Sequence, residues 1–197
     1  METTFHGLEF LTAPGRVFTP RAATEALVEA ALARIPDEPV RVADVGTGSG
    51  AIAVSIARAR PQAEVWATDS NPDAVALARA NAERHGVADR VHVRQGNLLE
   101  PIPDAVDYVV ANLPYLPMET RDMPEHAELM REPEDAVFAP DDGLGPLHDL
   151  LDLCAAGKLK MPGHVLVQYH RAVLDADCQH LEELRGSLDA QAGAAAS

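Results

Sequence analysis

Aromatic side chains are scarce in this chain, at 4% of its residues, so its core has to rest on alanine, valine, leucine and isoleucine. Basic residues are also few: 16 Lys and Arg stand against 31 Asp and Glu, for a formal net charge of -15. A surface that wraps a phosphate backbone replaces counterions with Lys and Arg. Extended nucleic-acid binding is therefore disfavoured unless the basic residues cluster or a partner supplies them. The same acidity would serve solubility equally well. Cysteine is nearly absent. Cys154 and Cys178, with no C-x-x-C between them, make neither a disulfide framework nor a zinc site. Both read as buried thiols in helical stretches of a protein kept reduced. No apolar run is long enough to span a bilayer. The first residues, Met1-Glu2-Thr3-Thr4-Phe5-His6, lack the basic-then-apolar order of a signal peptide. The expectation is a cytoplasmic protein with no membrane partner and no metal.

What is present is a regular alternation of types. A chain of 197 residues, 47% hydrophobic and 24% charged, fits one domain with a real core. Residues 7–18 surround Pro14-Gly15 and read as a hairpin or extended arm. A helix then begins with Thr19 as cap and Pro20 in its first turn, presenting Ala23, Leu27, Ala30, Ala31 and Ile35 on one face. The short apolar run at 40–45 reads as a buried strand, and 64–68, 91–95, 106–111 and 164–169 read as further strands, separated by helices at 51–59, 71–85 and 145–156. Asn71 and Pro72 suit the start of the second of these helices, and Gly86 its end. A last helix is expected over 174–184, with no clear final pair of strands. Strands alternating with helices imply an α/β, doubly wound, mostly parallel sheet. The division expected is an arm over 1–19, one catalytic-size domain over 20–188 and a disordered small-residue tail over 189–197.

In such sheets ligands bind beyond the carboxyl ends of the strands. The run Asp44-Val45-Gly46-Thr47-Gly48-Ser49-Gly50 sits where a strand hands over to a helix, and its glycines let the backbone turn sharply and approach a ligand. Dinucleotide enzymes use a similar turn, but here the spacing is G-x-G-x-G and an acidic residue precedes it. Asp69 closes the next strand, where a carboxylate can accept both hydroxyls of a ribose. Gly96-Asn97-Leu98 closes the third, where Asn97 can meet an adenine edge. This array resembles the class I methyltransferase pattern. It implies S-adenosyl-L-methionine as cofactor, with NAD as the competing reading.

At the end of the fourth strand stands Asn112-Leu113-Pro114-Tyr115, a variant of the [N/D]-P-P-[Y/F/W] tetrad of amino-group methyltransferases. An amide or exocyclic amine nitrogen has a delocalised lone pair and is a poor nucleophile. The Asn112 carboxamide oxygen and the next backbone carbonyl can accept both its N–H groups and turn the lone pair outward, so positioning supplies most of the help. Tyr115 can pack its ring on the planar acceptor. Read blandly, Asn and Pro simply make a turn after a strand. The irregular stretch 112–143 that follows is long enough to expect a function for it. Glu119, Asp122, Glu125 and Glu128 make it acidic, which reads as a solvated loop or a surface for a basic partner.

Over residues 7–168 the chain resembles the HemK/PrmC family of protein glutamine methyltransferases, which modify the Gly-Gly-Gln motif of peptide release factors. The resemblance rests on Gly7-Leu8-Glu9-Phe10, Phe18-Thr19-Pro20-Arg21-Ala22-Ala23-Thr24-Glu25, the glycine turn, the tetrad, Glu132-Pro133, Ala136 and Asp142-Gly143-Leu144. It implies cofactor contacts from Asp44, Gly46, Thr47, Gly48, Ser49, Gly50, Asp69, Asn97, Leu98 and Asn112. It places the acceptor at Asn112, Leu113, Pro114 and Tyr115, with Asn112 and Tyr115 as catalytic residues. Apart from the resemblance, Arg21 is a single basic residue near the expected mouth, which reads equally as a brace for a loop or as a contact to substrate. The chain departs from the family pattern at Leu113, a form typical of ribosomal RNA adenine dimethyltransferases, and at Gln168, where a glutamate is usual. The resemblance does not take in the family's helical N-terminal domain, which is not expected within these residues.

The expected activity is therefore S-adenosylmethionine-dependent methylation of a protein glutamine, with a release factor or similar protein as partner. An RNA or DNA adenine, a small-molecule amine and a non-catalytic binding module remain as rivals. Asp175, Asp177, Cys178 and His180 lie close in sequence, but on a helix they would face several directions and read as a solvated surface.

Overall fold

The chain opens with a short hairpin, β1 (Glu2–Phe5) and β2 (Leu8–Leu11), which turns at His6-Gly7, ahead of the Pro14-Gly15 turn that the sequence emphasises. Helix α1 (Ala22–Arg34) follows. It starts two residues later than Pro20 suggests: Arg21 is its extended N-cap, and Thr19 bonds elsewhere. Then come β3 (Arg41–Val45), α2 (Ala51–Ala59), β4 (Glu64–Asp69), α3 (Pro72–Arg84), β5 (Val91–Gln95) and β6 (Val106–Ala111). After these come the two-residue strands β7 (Leu116–Pro117) and β8 (Phe138–Ala139), α4 (Gly145–Leu153), β9 (Leu159–Tyr169), β10 (Ala172–Asp177) and α5 (Leu181–Ala195). This computed structural model describes residues 1–140, 142–170, 172–177 and 179–195.

Six strands form one sheet in the order β10-β9-β6-β3-β4-β5, parallel except for the β9–β10 pair. The strands alternate their side chains between two apolar layers. Val42, Val65 and Val110 pack under α1, α2 and α3 together with Leu27, Ile52 and Val75. Ala43, Val45 and Val109 face the other way, toward Leu147 and Leu150 of α4 and Leu184 of α5. Both faces of the sheet are thus covered, as a parallel sheet requires, and the doubly wound reading holds. From β3 the chain winds outward through β4 and β5, then returns to place β6 on the other side of β3. That reversal opens a crevice at the carboxyl ends of β3 and β6.

Asn71 accepts from the Asp73 N–H (2.9 Å) with Pro72 in the first turn of α3, as the sequence implies. Asn81, on the same helix and fully buried, uses its whole carboxamide: Oδ1 accepts from Leu11 N (2.8 Å), and Nδ2 donates to Leu11 O (3.0 Å) and Ser49 O (2.8 Å). It ties the hairpin to the glycine turn.

The C-terminal part corrects the sequence reading. Residues 172–177 form an antiparallel edge strand, not the start of a helix over 174–184, because β9 offers an open hydrogen-bonding edge and Ala172 folds straight back onto Tyr169. Helix α5 runs on through residues 189–195, which read as a tail from composition alone. Cys154 is buried, and burial pushes its thiol up to about 12, so it is inert near neutrality. Cys178 lies outside the described residues. Among the described residues no helix is long and apolar enough to cross a membrane.

Candidate active site

Beyond the ends of β3, β4, β5 and β6 lies a cleft of about 610 Å³. Its floor is the glycine turn. Gly46 N and Thr47 N both donate to Thr68 O at 2.9 Å, which anchors the turn to β4. Gly46 adopts φ +70°, and a methyl group there would meet Leu113 Cδ2 at 2.8 Å. The turn and the tetrad therefore press together at Gly46, where the absence of a side chain permits the approach.

Asp44 is fully buried beneath this turn and does not line the cleft. Its Oδ2 accepts from Thr47 Oγ1 (2.6 Å) and Ala53 N (3.0 Å), which holds the start of α2 against the turn. Burial raises its carboxyl to about 7, against the lowering effect of those two hydrogen bonds. The structure thus gives Asp44 a bracing role in place of the direct ligand contact expected from sequence. Gly50 likewise faces α3, at Ala78, rather than the cleft.

Gly46, Thr47, Gly48 and Ser49 do line the cleft, as do Asp69, Asn97 and Leu98. Asp69 is the polar centre of this half. Its Oδ2 accepts from Gly48 N (2.9 Å) and its Oδ1 from Asn71 N (3.0 Å). Burial raises its pKa, and the two N–H donors oppose the rise. Each carboxylate oxygen keeps lone-pair capacity for a further donor from the cleft.

The other half holds the tetrad. Asn112 donates through Nδ2 to Thr24 Oγ1 at 3.1 Å, so its carboxamide is tied to α1 on one side. Oδ1 has no partner among the described residues and is not buried, so it is available to a ligand. Leu113 is buried between Gly46 and the α4 side of the sheet. Tyr115 packs its ring on Tyr169 (centroids 5.2 Å) and His170 (5.1 Å). Burial raises the Tyr115 pKa, so the phenol keeps its proton near neutrality. Burial, with nearby His126 as a second cause, lowers that of His170, which favours a neutral ring. The register that sets Ala111 beside Val167 brings Gln168 next to Asn112. Gln168 Nε2 donates to His170 O at 3.3 Å, and its buried Oε1 has no partner among the described residues.

Arg21 lines the cleft, but its guanidinium is engaged: Nη2 lies 3.2 Å from Glu132 Oε1, and Cζ stands 5.4 Å from the centre of the Phe18 ring. Glu132 also accepts from Thr19 N (3.0 Å) and Thr19 Oγ1 (3.3 Å). This carboxylate clamps the segment before α1 to the stretch after the tetrad. That stretch is a run of short 3-10 turns framed by the β7–β8 pair.

Three features escaped the sequence reading: the partnership of Thr24 with Asn112, the Glu132 clamp and the seat of Gly143. Gly143 has φ +86°, and a methyl group on it would overlap the Tyr115 carbonyl and stand 3.0 Å from Pro117 N. A buried polar residue in the apolar face of α1 was the available signal for Thr24. Glu132 and Gly143 stand in motifs of the resemblance, but nothing local signals their partners, because both pair residues far apart in sequence.

Among the described residues no group of three or more His, Cys, Asp or Glu is placed to hold a metal ion. Asp175 pairs with Arg34 (2.6 Å) and His164 (3.4 Å), and Asp177 with His180 (2.8 Å). The cleft is lined by the carboxylates of Asp69, Glu128 and Asp135, the carboxamides of Asn71, Asn97, Asn112 and Gln168, and the imidazoles of His126 and His170. The tetrad itself carries neither carboxylate nor imidazole, so the acceptor side suits positioning chemistry.

The family model of the methyltransferase small domain matches residues 8–135. The release factor glutamine methyltransferase of Moorella thermoacetica is 44% identical over 165 residues, 82% of this chain and 56% of that protein. The protein of the same name from Geobacter sulfurreducens is 42% identical over 141 residues, 71% of this chain and 48% of that one. The chain thus spans about half the length of the curated relatives it matches. Among solved structures, a ribosomal protein L11 methylase from Lactobacillus delbrueckii subsp. bulgaricus aligns with a TM-score of 0.57 at 23% identity, covering 89% of this chain and 71% of that chain. That likeness is one of fold.

Proposed function

The chain belongs to the methyltransferase small-domain family, and from that premise we propose that it binds S-adenosylmethionine in the cleft and methylates the side-chain amide of a protein glutamine. A peptide release factor or a similar protein is the proposed partner. The relatives that carry the release-factor name support this reading. The observation that carries it is the state of Asn112: its amide nitrogen is held by Thr24 and its oxygen is left to the cleft, beside the glycine turn.

The cleft fits the cofactor. Gly48 N and the Asp69 carboxylate stand at its centre, and Asp69 keeps acceptor capacity for a ribose diol. Asn97 and Leu98 border the place for the adenine. When bound, S-adenosylmethionine supplies a positively charged sulfonium methyl group. The chain's own residues then have three tasks. Asn112 Oδ1 and the Leu113 carbonyl accept the two N–H groups of the acceptor amide and turn its lone pair toward the cofactor half. Tyr115, backed by Tyr169 and His170, covers one face of the planar amide. The turns between β7 and β8 wall the cleft, with Leu129 and Val137 among its lining residues, and so limit water.

Asp69→Ala is expected to weaken binding of the demethylated cofactor product by roughly 1–3 kcal/mol, the scale of a lost hydrogen bond to a charged group. Titration calorimetry measures this directly. Preferential binding of NAD by the unaltered chain would overturn the cofactor assignment.

The acceptor is tested with labelled cofactor offered to a Gly-Gly-Gln-bearing protein and to RNA across a salt series. Because the chain is acidic and Arg21 is already paired with Glu132, labelling of the protein is expected to change little between low and physiological salt. RNA that is labelled strongly at low salt and lost steeply on raising it, the signature of phosphate contacts, would favour the adenine reading.

A further inference from the structure

We propose that Thr24 is a positioning residue that sets the orientation of the Asn112 carboxamide; the inference rests on the reading of Asn112 as the group that receives the acceptor amide. Thr24 is the one polar member among the buried residues of α1, which otherwise are Leu27, Val28 and Ala31. Thr24 lies in the first turn of α1, and among the described residues its hydroxyl makes no bond to a backbone carbonyl. Its Oγ1 faces Asn112 Nδ2 at 3.1 Å, across 88 residues of sequence.

The chemistry explains why this contact matters. The terminal torsion of an asparagine is broad and two-fold, so an unheld carboxamide presents either its oxygen or its NH2 group to a ligand. Only the oxygen can accept an N–H of the acceptor amide; the NH2 group would set donor against donor. A threonine hydroxyl can accept as well as donate. With an acceptor amide engaged on Oδ1, the Asn112 nitrogen turns toward α1, and Thr24 Oγ1 is the acceptor waiting there. Without that hydroxyl, the nitrogen would face the apolar side of α1 unpaired, at the cost of its desolvation. Thr24 thus satisfies the Asn112 nitrogen in the rotamer in which the tetrad can work, once an acceptor amide occupies Oδ1, without itself touching the reacting atoms.

The test uses Thr24→Val, which keeps the shape and removes the hydroxyl, and Thr24→Ser, which keeps the hydroxyl. With a Gly-Gly-Gln peptide, Thr24→Val is expected to lower kcat about ten-fold, the equivalent of one neutral hydrogen bond. Its affinity for the demethylated cofactor product should stay unchanged, and Thr24→Ser should restore most of the rate. In an Asn112→Ala background Thr24→Val should bring no further loss, since it acts through Asn112. A Thr24→Val enzyme as fast as the parent, or a loss that adds fully to that of Asn112→Ala, would overturn the inference and leave the proposed function standing. Failure of the parent enzyme to label the peptide would overturn the acceptor reading instead. Thr24 is then still decided by NMR hydrogen exchange of the Asn112 side-chain amide: protection lost in Thr24→Val but kept in Thr24→Ser supports the inference, and equal exchange in all three proteins refutes it.

Discussion

Asn112→Ala is expected to lower kcat by about 10²–10³ while leaving cofactor binding nearly intact, the scale found on removing one preorganised polar group from an active site. Asn112 stands at the end of β6, a strand buried between β3 and β9, so its backbone is fixed by the sheet. Its carboxamide is fixed by Thr24. No group in the tetrad is placed to act as a strong base: the raised pKa of Tyr115 keeps its phenol protonated. On the proposed reaction, the rate advantage comes from holding the amide N–H groups, and alanine would remove half of that hold. Steady-state kinetics with the labelled cofactor, paired with calorimetry of the cofactor product, separates the two effects. A near-normal turnover would reduce the tetrad to a turn and move the active site elsewhere.

Gly143→Ala is expected to be the most damaging single methyl group added to this protein. The residue has φ +86°, where any side chain brings strain of about 1–2 kcal/mol. The added carbon would also overlap the Tyr115 carbonyl and approach Pro117 N at 3.0 Å. Those are backbone atoms, which cannot rotate away, so an overpacking cost of roughly 1–3 kcal/mol adds to the strain. Relief can come only by moving the chain around Tyr115, and misplacement by a fraction of an ångström is enough to harm a positioning mechanism. The expected result is a loss of about 2–5 kcal/mol in denaturant unfolding, together with a fall in kcat. Gly145, two residues on, is the control. A methyl group there meets nothing within 4 Å, and Gly145→Ala should change stability by no more than about 0.5 kcal/mol. Equal behaviour of the two variants would mean that the Gly143–Tyr115 seat does not constrain the tetrad.

Much of the architecture is local in origin, and to that extent the sequence determined it. The strands β3, β4 and β6 announce themselves as short apolar runs. The Asn71-Pro72 start and Gly86 end of α3 follow from backbone preferences of single residues. The glycine turn and the tetrad are contiguous motifs, each set by the needs of one strand end, and the cleft brings both together where the strand order reverses.

Tertiary structure decided whatever depends on a partner distant in the chain. The stretch Ala172–Asp177 has no strong period of its own, and it became a strand because β9 left an edge to be paired. Asp44 has the residue type and position of a ligand contact, yet the fold buries it under the turn as a brace, since Thr47 and Ala53 supply its donors from within. Arg21 reads from sequence either as a loop brace or as a substrate contact, and its pairing with Glu132, from the segment after the tetrad, shows it bracing. Thr24 and Gly143 gain their roles only when α1 and the approach to α4 are packed against the tetrad. Motifs report what one segment requires of its own backbone. Which side chains hold those motifs in place is settled by contacts between segments, and these exist only once the sheet has brought its carboxyl ends together.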